Sequence, residues 1–349
     1  MPPAVPPFVA GRHRDPPLKQ ATQERNRESR SMDSALVESL LQRVVTGVLV
    51  GSIYGLLCTG LGMIFGVIRV INFAQGEFMM LGMYTTLFVG AALAAALSIG
   101  PAGGAYAAVV IAALVVGAAG WALQRFVISR VSGARALASE SGGHFAQLIL
   151  TLGLSLVLSS GVLIAFGSSP RTVQSPLAAS SWTLGPFGAD AIAIFVNKAR
   201  AIGCAVAIAV SLALYWFVQK TRAGTTMRAA ADNPTAATIV GLDVEQSYAR
   251  AFAIGSAATA LAGGLIAMYY PFHPYIGFDF VIIMYAGVVL GGMGSMLGAF
   301  WGGFTIGLVQ QLSTLVLPFQ LQNATIFLVF LAVVLLRPQG LFGRSSERA

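Results

Sequence analysis

Residues 145–167 read FAQLILTLGLSLVLSSGVLIAFG, a mainly apolar run without a single charged side chain. A transmembrane helix needs about 20 predominantly apolar residues to cross the hydrocarbon core of a bilayer. The run is continuous and does not alternate between apolar and polar residues, as the strands of a membrane β-barrel do. It therefore predicts one helix that crosses a membrane.

Comparable runs fill most of the chain on both sides of this one. Charged residues make up 10% of the 349 residues, whereas a soluble globular chain carries about 25%. So few charges cannot cover a surface that faces water, and in lipid only helices and closed barrels satisfy the backbone. We expect an all-α integral membrane protein, a polytopic helix bundle of about 8–10 transmembrane segments with one broken helix. Its apolar segments are predicted at roughly 38–57, 59–70, 77–98, 103–128, 145–167, 198–218, 248–270, 281–299, 300–317 and 322–336.

Three parts are expected along the chain. Residues 1–34 are rich in Pro, Arg, Ser and Glu and have no apolar core, which predicts a disordered N-terminal tail. The alternative is a start codon assigned too early, with Met32 as the true start. Residues 35–343 form the membrane domain, and residues 344–349 form a short cytoplasmic tail.

The distribution of Lys and Arg predicts the orientation in the membrane, because short basic loops stay in the cytoplasm. The loops 129–143 and 219–247 are basic and should be cytoplasmic, whereas 168–197 should face outside. The C-terminal end, with Arg337, Arg344 and Arg348, should also be cytoplasmic, and so should the basic N-terminal tail. Two cytoplasmic termini would require an even number of crossings. Residues 59–70 are therefore predicted to be a half-helix that enters from outside and ends in a break near Asn72. This bias also accounts for the net charge of +8 without nucleic-acid binding.

The polar residues around this break are the first candidate functional site. Asn72, Gln75 and Glu77 follow Arg69 within nine residues, between two apolar segments. A charge at membrane depth costs about 2.5–3.5 kcal/mol even on insertion scales, and transporters use broken helices to bind polar solutes near the midplane. Asn72, Gln75 and Glu77 are therefore candidates for a substrate pathway. A short interfacial loop without a function is the alternative.

The loop at residues 220–243 is the second candidate, since it is longer than a turn between two spans requires. We predict two short helices, with Asp232 or Asn233 capping the second, Pro234 in its first position and Gly241 after its end. Such a helix on the cytoplasmic face suits docking into a groove of a soluble partner. An ordinary amphipathic interfacial helix is the alternative. The residues assigned to this docking loop are Arg228, Asp232, Asn233, Pro234 and Gly241.

Glycines within the predicted spans indicate close helix packing rather than solute contacts. Small residues let helix backbones approach each other in lipid, and Gly298 and Gly302 have GxxxG spacing. The aromatic stretch at residues 269–279 is interpreted as an interfacial cap on the outer side, with reception of a substrate or partner as the alternative. The glycines assigned to packing are Gly291, Gly292, Gly294, Gly298 and Gly302.

Several other classes of protein are disfavoured. Cys58 and Cys204 lie far apart in apolar runs and the three histidines are scattered, so no metal site or disulfide framework is expected. No phosphate-binding loop and no hydrolase or metalloprotease motif occurs. The chain should therefore be no enzyme and hold no cofactor, and any ATP would be hydrolysed by another subunit.

Taken together, six stretches resemble the permease subunits of branched-chain amino acid ABC transporters, the LivH type. They occur in the family's order and span most of residues 40–343. Gln75 stands where the family usually has His, and Gln124-Arg125 replaces its usual Glu-Arg pair, so neither a proton-linked role nor that salt bridge is carried over. The stretches are GSIYG at 51–55, NFAQGE at 72–77, RAAADNPTAATIVGL at 228–242, PYIGF at 274–278, LGGMGSMLGA at 290–299 and RPQGLFG at 337–343.

The resemblance implies the activity and the partners. The chain would be the permease subunit of an importer in the bacterial inner membrane. It would pair with a second, related permease, two cytoplasmic ATPase subunits that use ATP, and a periplasmic solute-binding protein. Urea or another small amide or amino acid is the alternative cargo. A secondary carrier or channel is the alternative class, which the long cytoplasmic loop and the scarcity of buried carboxylates disfavour.

Overall fold

The structure is a computed structural model that describes residues 18–69, 71–98, 100–132, 142–187, 192–337 and 339–342. This part of the chain contains twelve α-helices and one antiparallel pair of strands. A π-helical turn, Gln124–Ile128, joins α3 to α4. The elements are α1 (Leu18–Ile68), α2 (Gln75–Leu97), α3 (Gly100–Leu123), α4 (Ser129–Ser132), α5 (Gly142–Phe166), β1 (Ser181–Phe187), β2 (Ile192–Asn197), α6 (Lys198–Lys220), α7 (Arg222–Asp232), α8 (Pro234–Ile239), α9 (Val244–Ala267), α10 (Ile276–Gly291), α11 (Met296–Ser313) and α12 (Gln322–Leu336).

The all-α polytopic membrane fold is confirmed. Six helices in the described part of the chain are long and apolar enough to cross a membrane, and α10 and α12 are shorter apolar helices. The long helices coincide with predicted apolar segments to within a few residues at most of their ends. The six spans are Ala35–Ile68, Gln75–Leu97, Gly100–Ile128, Ala146–Phe166, Lys198–Lys220 and Val244–Ala267.

Helix α1 is the central helix of the bundle. Of its most apolar 18-residue window, 83% is buried, against 22% for α5 and 17% for α6. It packs most extensively against α11, and also against α9 and α6. Ile53, Leu57 and Leu61 are fully buried. The apolar surfaces of α5 and α6 are left exposed, as expected of helices that face lipid.

A row of glycines brings α1 and α11 together. Gly47, Gly51 and Gly55 are spaced by four residues and so lie on one face of α1. A Cβ atom added at Gly51 would lie 2.6 Å from the carbonyl oxygen of Phe304, and one at Gly55 would lie 2.7 Å from the ring of Phe300. Because both additions would collide, this pair of helices depends on glycine for its separation.

The two ends of the bundle differ in structure. The hairpin end carries strands β1 and β2, and Gln42 of α1 lies there because its side chain exchanges hydrogen bonds of 2.8 and 2.9 Å with the backbone of Phe195. The loop end carries α7 and α8. Met227 of α7 packs there against Met63 of α1 and Ala251 of α9. Helix α1 therefore runs from the hairpin end to the loop end.

This course corrects two predictions about the first segments. Residues 59–70 are not a half-helix, because α1 continues without a break through Thr59 to Ile68. No proline interrupts it, and the Thr59 hydroxyl donates to the carbonyl of Gly55 at 2.8 Å within the helix. The N-terminal start of the bundle also lies at the end opposite the basic loops. The last described residues lie at the loop end, since the amide of Leu341 donates to the carbonyl of Leu290, close to where Gly294 lies beside Gly66 of α1. A chain that starts at one end of the bundle and finishes at the other does not fit an even number of crossings.

The boundary predicted between residues 299 and 300 is also wrong. Helix α10 ends at Gly291 and α11 begins at Met296. Gly292 and Gly294 have φ values of 99° and 94°, which glycine adopts without steric penalty. The Ser295 side chain then caps α11 by accepting a hydrogen bond from the amide of Gly298 at 3.1 Å. The turn thus lies in the glycine-rich stretch, and the pair Gly298 and Gly302 lies inside α11.

The terminal segments were predicted as tails. Residues 1–17 lie outside the described residues, and so do residues 343–349 with the predicted tail at 344–349. Helix α1 begins at Leu18, so residues 18–34 of the predicted tail are part of α1 in this structure. They follow Pro16-Pro17 and are rich in Gln, Glu, Arg and Lys, which favour helix more than the prolines before them do.

Candidate functional site

The predicted break in the chain lies between Ile68 and Gln75. Helix α1 ends with Arg69 at a φ of 58°, and α2 begins six residues later. Asn72 organises the return of the chain: its side-chain oxygen accepts from the amide of Ala74 at 3.1 Å. Its own backbone amide donates to the hydroxyl of Tyr285 in α10 at 2.6 Å. The break is therefore held by one side chain and one neighbouring helix.

Gln75 places the start of α2 near the middle of the bundle. Its amide nitrogen donates to the Thr259 hydroxyl at 2.5 Å and to the Gly255 carbonyl at 3.4 Å. At about 1.5 Å per residue these partners lie roughly 17 to 23 Å along α9, a helix of about 36 Å. The Asn72 side chain donates to the oxygen of Gln75 at 3.2 Å. The chain thus leaves α1 at the loop end and returns to mid-bundle depth before α2 begins.

Glu77 lies in the first turn of α2, where it faces α10. One carboxylate oxygen accepts from the Ser155 hydroxyl of α5 at 3.1 Å, and the other, Oε2, has no partner. A Cβ atom at Gly277, in the first turn of α10, would lie 2.8 Å from the Glu77 carboxylate, and one at Gly76 would collide with the Gly277 carbonyl. Two helix N-termini therefore meet beside this carboxylate, and their dipoles stabilise its negative charge.

The structure thus brings the three predicted polar residues of this site together in the interior. Asn72, Gln75 and Glu77 are 3%, 0% and 1% exposed. The side chains of Asn72 and Gln75 bond within the chain and fix the break. Glu77 alone of the three keeps an unpaired buried oxygen, which is an acceptor for a cationic group that reaches this depth.

The docking loop folds as two helices, as predicted. Helix α7 spans Arg222–Asp232, and α8 begins at Pro234. The cap is Asn233, whose side-chain oxygen accepts from the amide of Ala236 at 2.9 Å. Gly241 follows the helix with a φ of 83°. Arg228 turns back to the end of α6, where it donates to the Gln219 side chain at 3.0 Å.

Helix α8 is anchored on one side and free on the other. Ala237 is 4% exposed, whereas Ile239 and Val240 at its end are 80% and 74% exposed. Asp232, the last residue of α7, is also exposed. Two large apolar side chains on a short, capped helix at the loop end form a small apolar surface with no partner in the described chain.

The glycines of α10 and α11 lie at the contact between these helices. A Cβ atom at Gly291 would collide with the carbonyl of Gly298, and one at Gly302 would collide with the carbonyl of Gly287. Gly292 and Gly294 form the turn between the helices. The GxxxG pair therefore faces a neighbouring helix of the same chain.

Two features of the structure were not predicted. Arg125 forms an ion pair with Glu245 at 3.5 Å across the loop end, whereas no salt bridge was expected for the pair Gln124-Arg125. Both side chains are largely exposed, so the pair contributes little stability. A cavity of about 650 Å³ opens at the hairpin end beside Arg200 and Tyr269. Its residues come from four separated segments, and only the unpaired Arg200 at the start of an apolar helix could have indicated it.

Comparisons with known proteins agree with this architecture. The family model described as branched-chain amino acid transport system / permease component matches residues 43–336. The chain is 31% identical over 312 residues to the high-affinity branched-chain amino acid transport system permease protein LivH of Escherichia coli K12, covering 87% of this chain and 96% of that protein.

Two further relatives extend the comparison. The permease protein BraD of Pseudomonas aeruginosa is 29% identical over 87% of this chain and 96% of its own length. The probable branched-chain amino acid transport permease protein LivH of Methanocaldococcus jannaschii is 26% identical over 82% of this chain and 88% of its own length. No solved structure matches the chain. The chain belongs to the branched-chain amino acid transport permease family.

Proposed function

We propose that this chain is the translocation subunit of an ATP-driven importer that carries branched-chain amino acids across the bacterial inner membrane. The observation that carries the proposal is the 31% identity to a high-affinity branched-chain amino acid permease along 96% of that relative's length. A match of this extent includes the break, the docking loop and the glycine-rich turn. The long apolar helices make the chain a multi-pass membrane protein.

The solute pathway is proposed to pass the break at Asn72, Gln75 and Glu77. Asn72 and Gln75 hold the chain at mid-bundle depth through Tyr285 and Thr259. Glu77 supplies the unpaired oxygen there. An amino acid carries an ammonium group, and a carboxylate in a site of low dielectric is its natural partner. Because the three side chains are buried, the pathway is closed in this conformation.

The docking loop is proposed to couple ATP hydrolysis by the ATPase subunits to movement of the membrane helices. The chain has no phosphate-binding loop in its sequence, so ATP is bound and hydrolysed by two partner subunits in the cytoplasm. Helix α8 would enter a groove on one of them with Ile239 and Val240. Movement of α8 would reach α9 directly, because Asp243 caps α9 immediately after the loop, and Gln75 hydrogen-bonds to α9.

The remaining partners follow from the mode of transport. A second, related permease would complete the solute pathway, and a periplasmic binding protein would deliver the solute at the hairpin end. That end is proposed to face the periplasm because the basic residues of the loop end favour the cytoplasm.

Uptake of labelled leucine tests the proposal in cells that lack this gene and in cells in which it is restored. We expect uptake that depends on the gene, persists with an uncoupler while ATP is maintained, and stops when ATP is depleted. Uptake of labelled urea is measured in parallel, because it tests the identity of the solute independently of the mechanism of transport.

Each other outcome contradicts a different part of the proposal. Gene-dependent uptake of urea but not leucine would support an ATP-driven importer and contradict branched-chain amino acids as its solute. Uptake that stops with the ion gradient while ATP persists would identify a secondary carrier. No gene-dependent flux of either compound would contradict the proposed function as a whole.

A further inference from the structure

The cavity at the hairpin end is built from several segments tied together. The chain after α5 crosses to the end of α9, where the amide of Val173 donates to the carbonyl of Ala267 at 3.3 Å and Arg171 pairs with Phe272 through two backbone hydrogen bonds. Asn197 joins from the other side, since its side chain donates to the carbonyl of Ala178 at 2.7 Å and caps α6. The cavity of about 650 Å³ lies between these segments, within the roughly 300–1,000 Å³ typical of small-molecule sites.

Arg200 gives this cavity a positive wall. Its guanidinium lies over the ring of Tyr269, with 5.0 Å between the guanidinium carbon and the ring centroid. Its Nε atom is buried and has no hydrogen-bond partner. No carboxylate of the described chain forms an ion pair with Arg200, and no Asp or Glu lines the cavity. Arg200 is also in the first turn of α6, where the helix dipole adds partial positive charge.

Tyr269 adds a second unpaired donor. Its hydroxyl is buried without a partner, and burial raises the pKa of this phenol above its usual value, so the hydroxyl keeps its proton. Buried polar atoms in native proteins almost always have a partner, in the protein, in ordered water or in a ligand. Arg200 and Tyr269 both line the cavity, and each has a buried donor without a partner in the described chain, which favours a negatively charged acceptor as the ligand.

The rest of the wall is partly apolar. Met268 and Val173 line the cavity and are 2% and 8% exposed, and Pro101 and Pro176 line it as well. A ligand with a carboxylate at one end and a short aliphatic group at the other would match both parts of the wall. Arg also suits a carboxylate better than Lys does, because its fork donates two parallel hydrogen bonds.

We propose that this cavity is an entry site that binds the carboxylate of the solute through Arg200 and Tyr269, with the aliphatic group against Met268 and Val173. The site lies at the hairpin end, whereas Glu77 lies at mid-bundle depth. It deepens the proposed function, on which the identity of the solute rests. Each site binds one charged group of the solute. The entry site binds the carboxylate, and Glu77 at the break binds the ammonium group.

The test uses two fragments of leucine that each lack one charged group. Labelled 4-methylpentanoate has the carboxylate without the amine, and 3-methylbutylamine has the amine without the carboxylate. Equilibrium binding is measured on the full chain purified with its partner subunits in lipid nanodiscs, without the binding protein. We expect 4-methylpentanoate to bind and 3-methylbutylamine not to compete with it.

Four variants assign the binding to the cavity. Arg200→Gln should weaken binding of 4-methylpentanoate about tenfold or more, since a hydrogen bond to a charged group is lost. Arg200→Lys should have an intermediate effect, and Tyr269→Phe should weaken binding about threefold while it keeps the ring under the guanidinium. The matched control is Lys198→Gln. It removes the same charge two residues earlier, from a side chain that lies over Trp182 and outside the cavity lining. Its effect should be below about twofold.

Three results would overturn the inference. One is equal binding of the two fragments to the unsubstituted chain, and another is an equal effect of Arg200→Gln and Lys198→Gln. The third is a loss of binding-protein capture in Arg200→Gln with 4-methylpentanoate binding unchanged, which would assign Arg200 to an acidic side chain of that protein. Should Arg200→Gln fail to fold, Tyr269→Phe decides alone. Leucine uptake without carboxylate binding contradicts only this site, and carboxylate binding without leucine uptake contradicts only the proposed transport.

Discussion

At the scale of single residues, the polar side chains at the break have different roles. Asn72 and Gln75 are structural, whereas Glu77 is the proposed contact of the solute. Asn72 and Gln75 bond within the chain, whereas Glu77 keeps one buried oxygen without a partner. Glu77→Gln preserves the shape of the side chain and removes its charge. We expect the initial rate of leucine uptake to fall about tenfold or more at equal amounts of membrane protein. A hydrogen bond to a charged group contributes about 1.5–3 kcal/mol, and about 1.4 kcal/mol corresponds to a factor of ten.

The control for Glu77 is its own neighbour. Ser155→Ala removes the hydroxyl that donates to the carboxylate at 3.1 Å but leaves the charge in place, so uptake should change by no more than about twofold. Unchanged uptake in Glu77→Gln would contradict a place for this carboxylate in the pathway. Loss of the protein from the membrane in Glu77→Gln alone would instead assign it to the contact between α2 and α10.

The sequence predicts these residues but not their environment. Four polar residues within nine positions between two apolar runs are a local signal, and it located the break correctly. Their partners are not local. Gln75 meets Thr259, which is 184 residues later in the chain, and the cavity at Arg200 combines four separated segments. Such contacts depend on how the helices are arranged, which no hydrophobic pattern specifies.

At the scale of elements, α8 is a small helix that depends on one cap. Asn233→Ala removes the acceptor for the Ala236 amide, and loss of such a cap costs about 0.5–2 kcal/mol. A six-residue helix has few other interactions to offset this loss. We expect leucine uptake to fall several-fold while the amount of protein in the membrane is unchanged. Uptake and ATP hydrolysis are measured together in reconstituted vesicles, where hydrolysis should lose its dependence on solute.

A conservative variant tests that reasoning. Asn233→Asp keeps an oxygen in the capping position and should retain most of the uptake. If Asn233→Asp and Asn233→Ala lost uptake equally, the cap would not be the cause. Full uptake in Asn233→Ala would contradict a coupling role for α8.

Helix ends were predictable where a specific side chain marks them. Asn233-Pro234 is a cap followed by proline in the first turn, and α8 begins there. The interior of a long helix was not predictable in the same way. Residues 38–57 and 59–70 are a single helix because nothing near Cys58 breaks it, and the glycines of α1 serve its contact with α11 and not a turn. In α10 and α11, glycine does form the turn. Glycine in an apolar segment thus either packs one helix against another or forms a turn. Which of the two applies depends on the neighbouring helices and not on the local sequence.

At the scale of the whole molecule, the two ends of the bundle determine which surface meets which partner. The basic tail suggested that both ends of the chain lie on one side. The structure places Gln42 beside the hairpin and the residues after α12 at the other end, where the amide of Leu341 donates to the carbonyl of Leu290 at 2.7 Å. Arg25, Arg27 and Arg30 lie within ten residues of the first span, inside the range of about 15–20 residues over which the charge rule applies. They carried that prediction, and the course of α1 does not follow it.

Cysteine labelling tests this arrangement directly. The two native thiols, Cys58 and Cys204, are buried, so they contribute little background. Ala35→Cys at the start of the first span, Thr183→Cys in the hairpin and Thr235→Cys in α8 are all at exposed positions. In intact spheroplasts a membrane-impermeant maleimide should label the first two, because α1 starts at the hairpin end, and should label Thr235→Cys only after the membrane is opened. If Ala35→Cys instead required an opened membrane, the first span would start in the cytoplasm, and the course of the chain from one end of the bundle to the other would be wrong.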